Sequence, residues 1–342
     1  MTTNKTLLAS DLHLTDNPLD EYRWGLFQWL KQQCKAHRVT EIFLLGDITD
    51  QKDRHSSLLV NRVVDEIGSL ASIAPVTILR GNHDGIDPNT PYFRFLSHMK
   101  DVQFIYKPTR ILRNVFLPHS KDLAADWKAT MRETDFIPNK EMKRENAQTT
   151  VFLHATVGGC LVENGAKLDG VPLSLFKDFH GSIYAGDIHV PQTIGPVTYV
   201  GSPYPVHFGD KFPARCLLLD DNKTTDLHYP CLRRLKLFLA TGKDAAKVDI
   251  RKGDQVKVVV QLNRSEALDW EKHRELVKQA VTDAEAELCG LEIEVTGIQK
   301  ELVTDKKEVL PDLDLLDQFG KREGLSKDLL DIGQVLLEES SM

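Results

Sequence analysis

Three things are missing from this chain of 342 residues: a long apolar run, a CxxC pair and an excess of positive charge. Its longest apolar stretches fall well short of the eighteen or so residues that cross a bilayer. The first residues, Met1-Thr2-Thr3-Asn4-Lys5, run straight into a short apolar strand without the long apolar region of a signal peptide. The expectation is a cytoplasmic protein with no membrane partner. Five scattered cysteines (Cys34, Cys160, Cys216, Cys231, Cys289) argue against a disulfide framework and for a reducing compartment. Lysine and arginine number 43 against 50 acidic residues, a formal charge of −7. That excludes a uniformly basic nucleic-acid binder, because phosphate-backbone affinity needs clustered cations. A local basic stripe and metal-holding carboxylates both remain compatible with it. Internal repeats and low-complexity tracts are also missing.

What is present is ordinary globular material, 41% apolar and 27% charged, enough for one large domain with appendages or two medium ones. Short apolar runs at Thr6–Ala9, Glu41–Leu45 and Pro75–Leu79 predict buried strands. Between them lie two amphipathic helical patterns. One is carried by Tyr22, Leu26, Phe27, Leu30 and Cys34, the other by Leu58, Val60, Val63, Val64, Ile67 and Leu70. This alternation predicts an α/β layered fold with helices packed on a sheet. Further strands are expected at Phe104–Ile105, Arg110–Leu112, Val115–Leu117, Val151–Leu153, Ser182–Ala185, Val197–Val200 and Cys216–Leu219. The polar stretch 121–148 is expected to be helical and broken at Pro138. Strand Val256–Val260, helix Glu266–Leu288 and strand Leu291–Val295 predict a small α/β domain over 236–300. The charged run Thr304–Glu308 predicts a linker, 301–311. Two short helical patterns, Leu313–Phe319 and Leu325–Leu337, then make a tail over 312–342.

Five strand ends finish in residues that can bind metal. The first strand runs into Asp11-Leu12-His13, where residues two apart in extended chain point the same way. The second ends in Gly46-Asp47 and the third in Gly81-Asn82-His83-Asp84, which offers an amide oxygen with an acid or cation beside it. The fourth ends in His154. The fifth, Gly186-Asp187-Ile188-His189, repeats the spacing of the first. Ligands in open α/β sheets gather at the carboxyl ends of strands. Any one of these motifs is most simply a cap or a turn; five together are not. Mixed imidazole, carboxylate and amide donors without thiolate suit manganese, iron or zinc. Two such ions about 4 Å apart clamp a phosphoester and activate a bridging water.

In this order the motifs DxH, GD, GNH(D/E), H and GxH resemble the calcineurin-like metallophosphoesterase superfamily, and within it the SbcD nuclease family. Ser10–Leu14 and Gly46–Asp50 are similar to that family's opening motifs, and Gly186–Gln192 to its GHxHxPQ. Gly201-Ser202-Pro203 followed by Phe208-Gly209-Asp210 is similar to its GSPxxxxFxE element. The likeness covers about residues 5–220 and continues more loosely beyond. It implies a β-sandwich flanked by helices, with 1–235 as the phosphoesterase domain, 236–300 as a cap able to contact DNA, and a helical tail. By position it implies one metal on Asp11, His13, Asp47 and His189, and a second on Asp47, Asn82, His154 and Asp187, bridged by Asp47. It casts His83 as the acid for the leaving oxygen, with Asp84 orienting it. Two divalent ions, most simply manganese, would be the cofactors. The implied activity is DNA exo- and endonucleolytic hydrolysis in end processing, repair or recombination. The implied partners are DNA and an SbcC-like coiled-coil ATPase, with a homodimer inside a heterotetramer and the tail holding the ATPase. Two departures stand out: Asp187 occupies a position usually held by His, and Asp50 one where a second His is sometimes found.

The competing readings are a small-molecule phosphodiesterase or phosphatase and a scaffold with a decayed metal site. Asp84 in place of a glutamate counts against the phosphoprotein-phosphatase branch. The retained set of ligands counts against decay. His207, His119 and His180 read as surface or loop residues, and Trp24, Trp29, Phe93 and Phe95 as packing. The clusters Arg233-Arg234-Lys236 and Lys140-Lys143-Arg144 read as solvated charge before DNA contacts.

Overall fold

The computed structural model describes residues 4–136, 149–220, 223–296 and Leu330. The chain divides into two compact units, Met1–Val295 and Thr296–Met342. The sequence expectations for the linker, for the Leu313–Phe319 and Leu325–Leu337 patterns and for Lys140-Lys143-Arg144 fall, Leu330 apart, outside the described residues.

Strands β1 (Lys5–Ala9), β2 (Glu41–Leu44), β3 (Val76–Leu79) and β4 (Val102–Ile105) lie parallel in one sheet. Antiparallel β11 (Cys216–Asp220) and β12 (Lys223–Leu227) extend it past β1, giving the order β12-β11-β1-β2-β3-β4. A second six-stranded sheet contains β5 (Thr109–Ile111), β6 (Asn114–Leu117), β7 (Thr150–His154), β8 (Ser182–Gly186), β9 (Gln192–Ile194) and β10 (Val197–Tyr199). Its order is β5-β6-β7-β8-β10-β9. Strand periodicity makes the two sheets a sandwich. Leu8, Phe43, Leu45, Leu79, Phe116 and Phe152 form the buried layer between them. Their neighbours in sequence face the other way: Leu7, Ala9, Ile42 and Leu44 under the helices of the first sheet, Val115, Val151 and Leu153 on the outside of the second. Helices α1 (Glu21–His37) and α2 (Ser57–Ala71) cover the first sheet, and α3 (Leu123–Thr130) the second.

Both early helices lie where their apolar patterns predict, and α2 buries Val63, Ile67 and Leu70 of the predicted set, with Val64 packed beside them, but Leu59 in place of Leu58. The buried set is spaced four, four and three, and Leu58 is left 67% exposed. The predicted helix over 121–148 reduces to α3 and a 3₁₀ turn at Glu133–Phe136 within the described residues. Apolar patterning passed over β9 and β12, which are short or polar, and also β13 (Arg234–Leu239).

A third sheet joins β13 to parallel β14 (Gln255–Asn263) and then β15 (Glu287–Thr296), with α4 (Trp270–Asp283) on one face. Its own core holds Leu239, Val256, Val258, Val260, Val277 and Val281. It belongs to the same compact unit as the sandwich and is tied to it by polar contacts. Gln255 Nε2 donates to the Leu19 carbonyl at 2.8 Å, and Arg234 Nη1 lies 3.2 Å from Asp20.

Candidate metal centre

The carboxyl ends of β1, β2, β3, β7 and β8 meet at one edge of the sandwich, because parallel strands of both sheets run the same way towards it. The turns that follow are tight. Asp11, His13, Asp47 and Asp187 all have positive φ, at 55°, 41°, 54° and 87°. Non-glycine residues held there carry strain of about 1–3 kcal/mol each, a cost that concentrates at functional sites. Glycine is needed where the turns touch. A Cβ on Gly81 would strike the Asp47 carboxylate, and one on Gly46 (φ 97°) would strike the His154 ring.

The three expected histidine ligands share one arrangement. His154 Nδ1 donates to the Leu45 carbonyl at 2.7 Å, His13 Nδ1 lies 3.3 Å from Asp50 Oδ1, and His189 Nδ1 lies 2.9 Å from Glu163 Oε1. The hydrogen bond fixes the His154 ring, whereas Nδ1 of His13 and of His189 is buried beside a carboxylate without a hydrogen bond; all three rings turn Nε2 inwards. His13 Nε2 and His189 Nε2 stand 3.1 Å apart. His154 Nε2 meets Asn82 Oδ1 at 2.9 Å, Asp47 Oδ2 at 3.5 Å and Asp187 Oδ1 at 3.6 Å. Ligand atoms of Asp11, His13 and His189 lie within 4.8 Å of one another, as do those of Asp11, Asp47 and His154. Asp11 thus stands in both groups. Asp47 also lies between them, its Oδ2 3.7 Å from His13 Nε2. A third group, His13, Asp50 and His83, lies alongside.

The electrostatics are unfavourable without a cation. Asp11 and His154 are fully buried and Asp47 is 2% exposed. Among the described residues, no lysine or arginine lies within ion-pair distance of either carboxylate. Asp11 Oδ2 is buried with no hydrogen-bond partner. Burial raises the Asp11 pKa, against the attraction of His154 and His189. For His154 burial opposes the charged form, yet Asp47, Asp187 and Asp11 hold its pKa well above the ordinary value. An orphaned carboxylate oxygen, paired inward imidazole nitrogens and an amide oxygen fit divalent cations of the manganese, iron or zinc kind.

His83 and Asp84 part company. The half-buried His83 ring lies 5.0 Å from His13, and its Nδ1 hydrogen-bonds to the Asp50 carbonyl. Asp84 was expected to orient His83, but its carboxylate accepts the amides of Gly81 at 2.7 Å, Asp47 at 2.9 Å and Ile48 at 3.0 Å. It braces the two loops that carry Asp47 and Asn82. Burial and the adjacent Asp47 push its pKa up to about 6 against those amide bonds.

Patterning assigned no supporting role to three residues. Asp50 holds His13 through its side chain and His83 through its carbonyl, so the residue standing in place of a histidine serves as a brace. Thr156 donates to Asp187 Oδ2, leaving Oδ1 for the centre. Glu163 sits far from any motif, and no local signal marks it. His119, read as a loop residue, has its ring 6.2 Å from His154, and burial lowers its pKa. His207 is exposed as expected, with its ring 5.6 Å from His189.

Two expectations follow. Glu163→Ala should weaken manganese binding at one site by about 10–100-fold, with Glu163→Gln intermediate, in a calorimetric titration. Asp187→Ala should require far more manganese for activity, whereas Asp187→His should retain it. Equal manganese dependence in wild type and Asp187→Ala would remove Asp187 from the ligand set.

Two solved structures are similar. One is the nuclease MPE of Pseudomonas putida, at 15% identity and a TM-score of 0.29, covering 65% of this chain and 87% of that one. The other is a dimetal phosphatase from Danio rerio, at 14% identity and a TM-score of 0.38, covering 67% and 99%. No curated protein matches the chain. Residues 5–191 match the calcineurin-like phosphoesterase family, a span that takes in every strand end described above. By that match this chain belongs to the calcineurin-like phosphoesterases.

Proposed function

We propose that this phosphoesterase is a manganese-dependent DNA nuclease that works as a homodimer with an SbcC-like coiled-coil ATPase in DNA end processing, repair or recombination. The observation that carries the hydrolytic reading is the convergence of three imidazole Nε2 atoms, with Asn82, around Asp11 and Asp47. The nuclease reading is supported by Gly186–Gln192 and by the Gly201-Ser202-Pro203 and Phe208-Gly209-Asp210 elements, which resemble those of SbcD nucleases. Residues 312–342 are proposed to hold the ATPase, and the third sheet to contact DNA.

Bound divalent ions would neutralise the phosphoryl oxygens and activate the attacking water. The chain's own residues supply position and protons. Asp11, His13, Asp47 and His189 would hold one ion, and Asp47, Asn82, His154 and Asp187 the other. Asp84 fixes the Asp47 turn, and Thr156 fixes Asp187. His83, with Nδ1 on the Asp50 carbonyl, keeps Nε2 for the leaving oxygen.

The test is purified protein with manganese on linear duplex, single-stranded DNA, bis-p-nitrophenyl phosphate and p-nitrophenyl phosphate, with and without the ATPase. Cleavage of DNA and of the diester is the expected result. Turnover of the monoester alone would replace the nuclease by a phosphatase.

A further inference from the structure

We infer that His119 is a substrate-contacting residue, an imidazole that donates a hydrogen bond to a phosphoryl oxygen of the ester held at the metal centre. The inference rests on the hydrolytic reading above, whether the ester is DNA or a small diester. Topology places the residue. Strand β6 pairs in parallel with β7, Leu117 beside Leu153, so its carboxyl end reaches the edge where β7 delivers His154. Two residues past β6 comes His119, its ring 6.2 Å from that of His154 and edge-on to it. This is a further strand end at the centre, and no motif marks it.

The backbone of His119 is held while its ring is left over. Its amide donates to the Arg80 carbonyl at 3.0 Å, and its carbonyl accepts from Arg80 Nη2. Arg80 is 4% exposed and immediately precedes the Gly81-Asn82-His83 turn. One buried arginine therefore ties His119 to the loop that carries the amide ligand and the expected acid. The three expected ligand histidines each have Nδ1 beside a protein oxygen, from Leu45, Asp50 or Glu163. The half-buried His119 ring has no hydrogen bond among the described residues, and it belongs to none of the three ligand groups. It stands beside the second ligand set as His83 stands beside the first, with the His83 ring 5.0 Å from His13.

The surroundings suit a neutral donor. Burial and the adjacent His154 disfavour the imidazolium, and a neutral imidazole keeps one N–H to give. Asp187 and Asp47 also act on this ring. Their negative charge repels an incoming phosphate on this side of the centre, and an N–H directed at a phosphoryl oxygen offsets that repulsion. A donor already in place where charge builds up strengthens as the transition state forms. No such group is needed to hold an ion, because Asn82, His154, Asp47 and Asp187 already meet there.

The test uses full-length, manganese-loaded protein with bis-p-nitrophenyl phosphate as substrate and inorganic phosphate as a calorimetric probe. His119→Phe keeps a ring against His154 without the donor, His119→Ala removes both, and His119→Gln keeps an N–H. The Phe and Ala variants should lower kcat/KM by about 10–100-fold, the worth of a hydrogen bond to a charged group, and should weaken phosphate binding. His119→Gln should recover part of both losses. Manganese stoichiometry and the thermal midpoint should match wild type in all three, so the loss cannot be ascribed to the ions or to unfolding. Wild-type kcat/KM and phosphate binding in His119→Phe overturn the proposal. Loss of manganese from His119→Ala also overturns it, making the residue a support of the metal set. Wild-type protein that turns over no diester overturns the hydrolytic reading instead, and the phosphate titration then decides His119 by itself.

Discussion

His83→Ala should lower phosphodiester turnover by about 10²–10⁴-fold while the protein keeps its full complement of manganese. That range is what a positioned acid–base group contributes. Hydrogen bonding distinguishes His83 from the expected ligands, although it lies beside His13 and Asp50. His13, His154 and His189 turn Nε2 onto one another or onto Asn82 and Asp47, whereas His83 hydrogen-bonds the Asp50 carbonyl through Nδ1. Its Nε2, which carries a proton in the imidazolium form, is then the nitrogen left to give that proton to a leaving oxygen. Its own backbone amide donates to Asp47 Oδ1 at 2.8 Å, a contact that alanine preserves. The loop and the Asp47 carboxylate should therefore stay in place. Calorimetric stoichiometry with a turnover assay decides the matter. Near-normal turnover would take His83 out of the mechanism, and loss of manganese would make it a ligand.

Asp47→Ala should abolish tight binding of both ions and reduce turnover by at least about 10³-fold, since each ion supplies several kcal/mol of charge stabilisation. Asp47 Oδ2 lies 3.5 Å from His154 Nε2 and 3.7 Å from His13 Nε2, between the two sets. Burial opposes its charge, but His154 and the neighbouring imidazoles lower its pKa and keep it ionised. Because alanine leaves a hole among buried charges, Asp47→Asn serves as the conservative partner. It keeps an oxygen for the His83 amide and removes the bridging charge. Asp11→Ala is the informative contrast, because Asp11 also stands in both groups. If Asp47 alone bridges, Asp11→Ala keeps one tight site. If both carboxylates are shared, the two variants lose the same two sites. A two-site isotherm like that of wild type for Asp47→Asn would refute the assignment of Asp47.

The layered α/β sandwich and the strand-end motifs were legible because both are local. Alternation in Leu7-Leu8-Ala9 or Ile42-Phe43-Leu44 needs only two-residue periodicity to define two buried faces. Asp11 and His13, or Asp187 and His189, are close in sequence wherever the chain goes. Edge strands with polar sequences, such as Lys223–Leu227, carry no such pattern, because one partner strand and solvent suffice for them. One position on the face of α2 was misjudged for a related reason. Leu58 and Leu59 are equally apolar, and the position of the sheet beneath selects which is buried.

By itself, then, the sequence determined which strand ends carry side chains able to bind metal and what donor chemistry they bring. Tertiary structure alone decided how those donors are held. The orienting partners of the three imidazoles, at Leu45, Asp50 and Glu163, come from segments up to 109 residues away. Asp84 shows the limit most clearly. Adjacency suggested that it serves His83, but packing brings the amides of Asp47 and Ile48, 37 and 36 residues distant, onto its carboxylate. His119 is likewise an ordinary loop residue until β6 and β7 pair, because strand register is a property of the folded sheet. Hydrogen bonds and like-charge neighbours act through space over a few ångströms, and only the packed chain says which residues share those few ångströms.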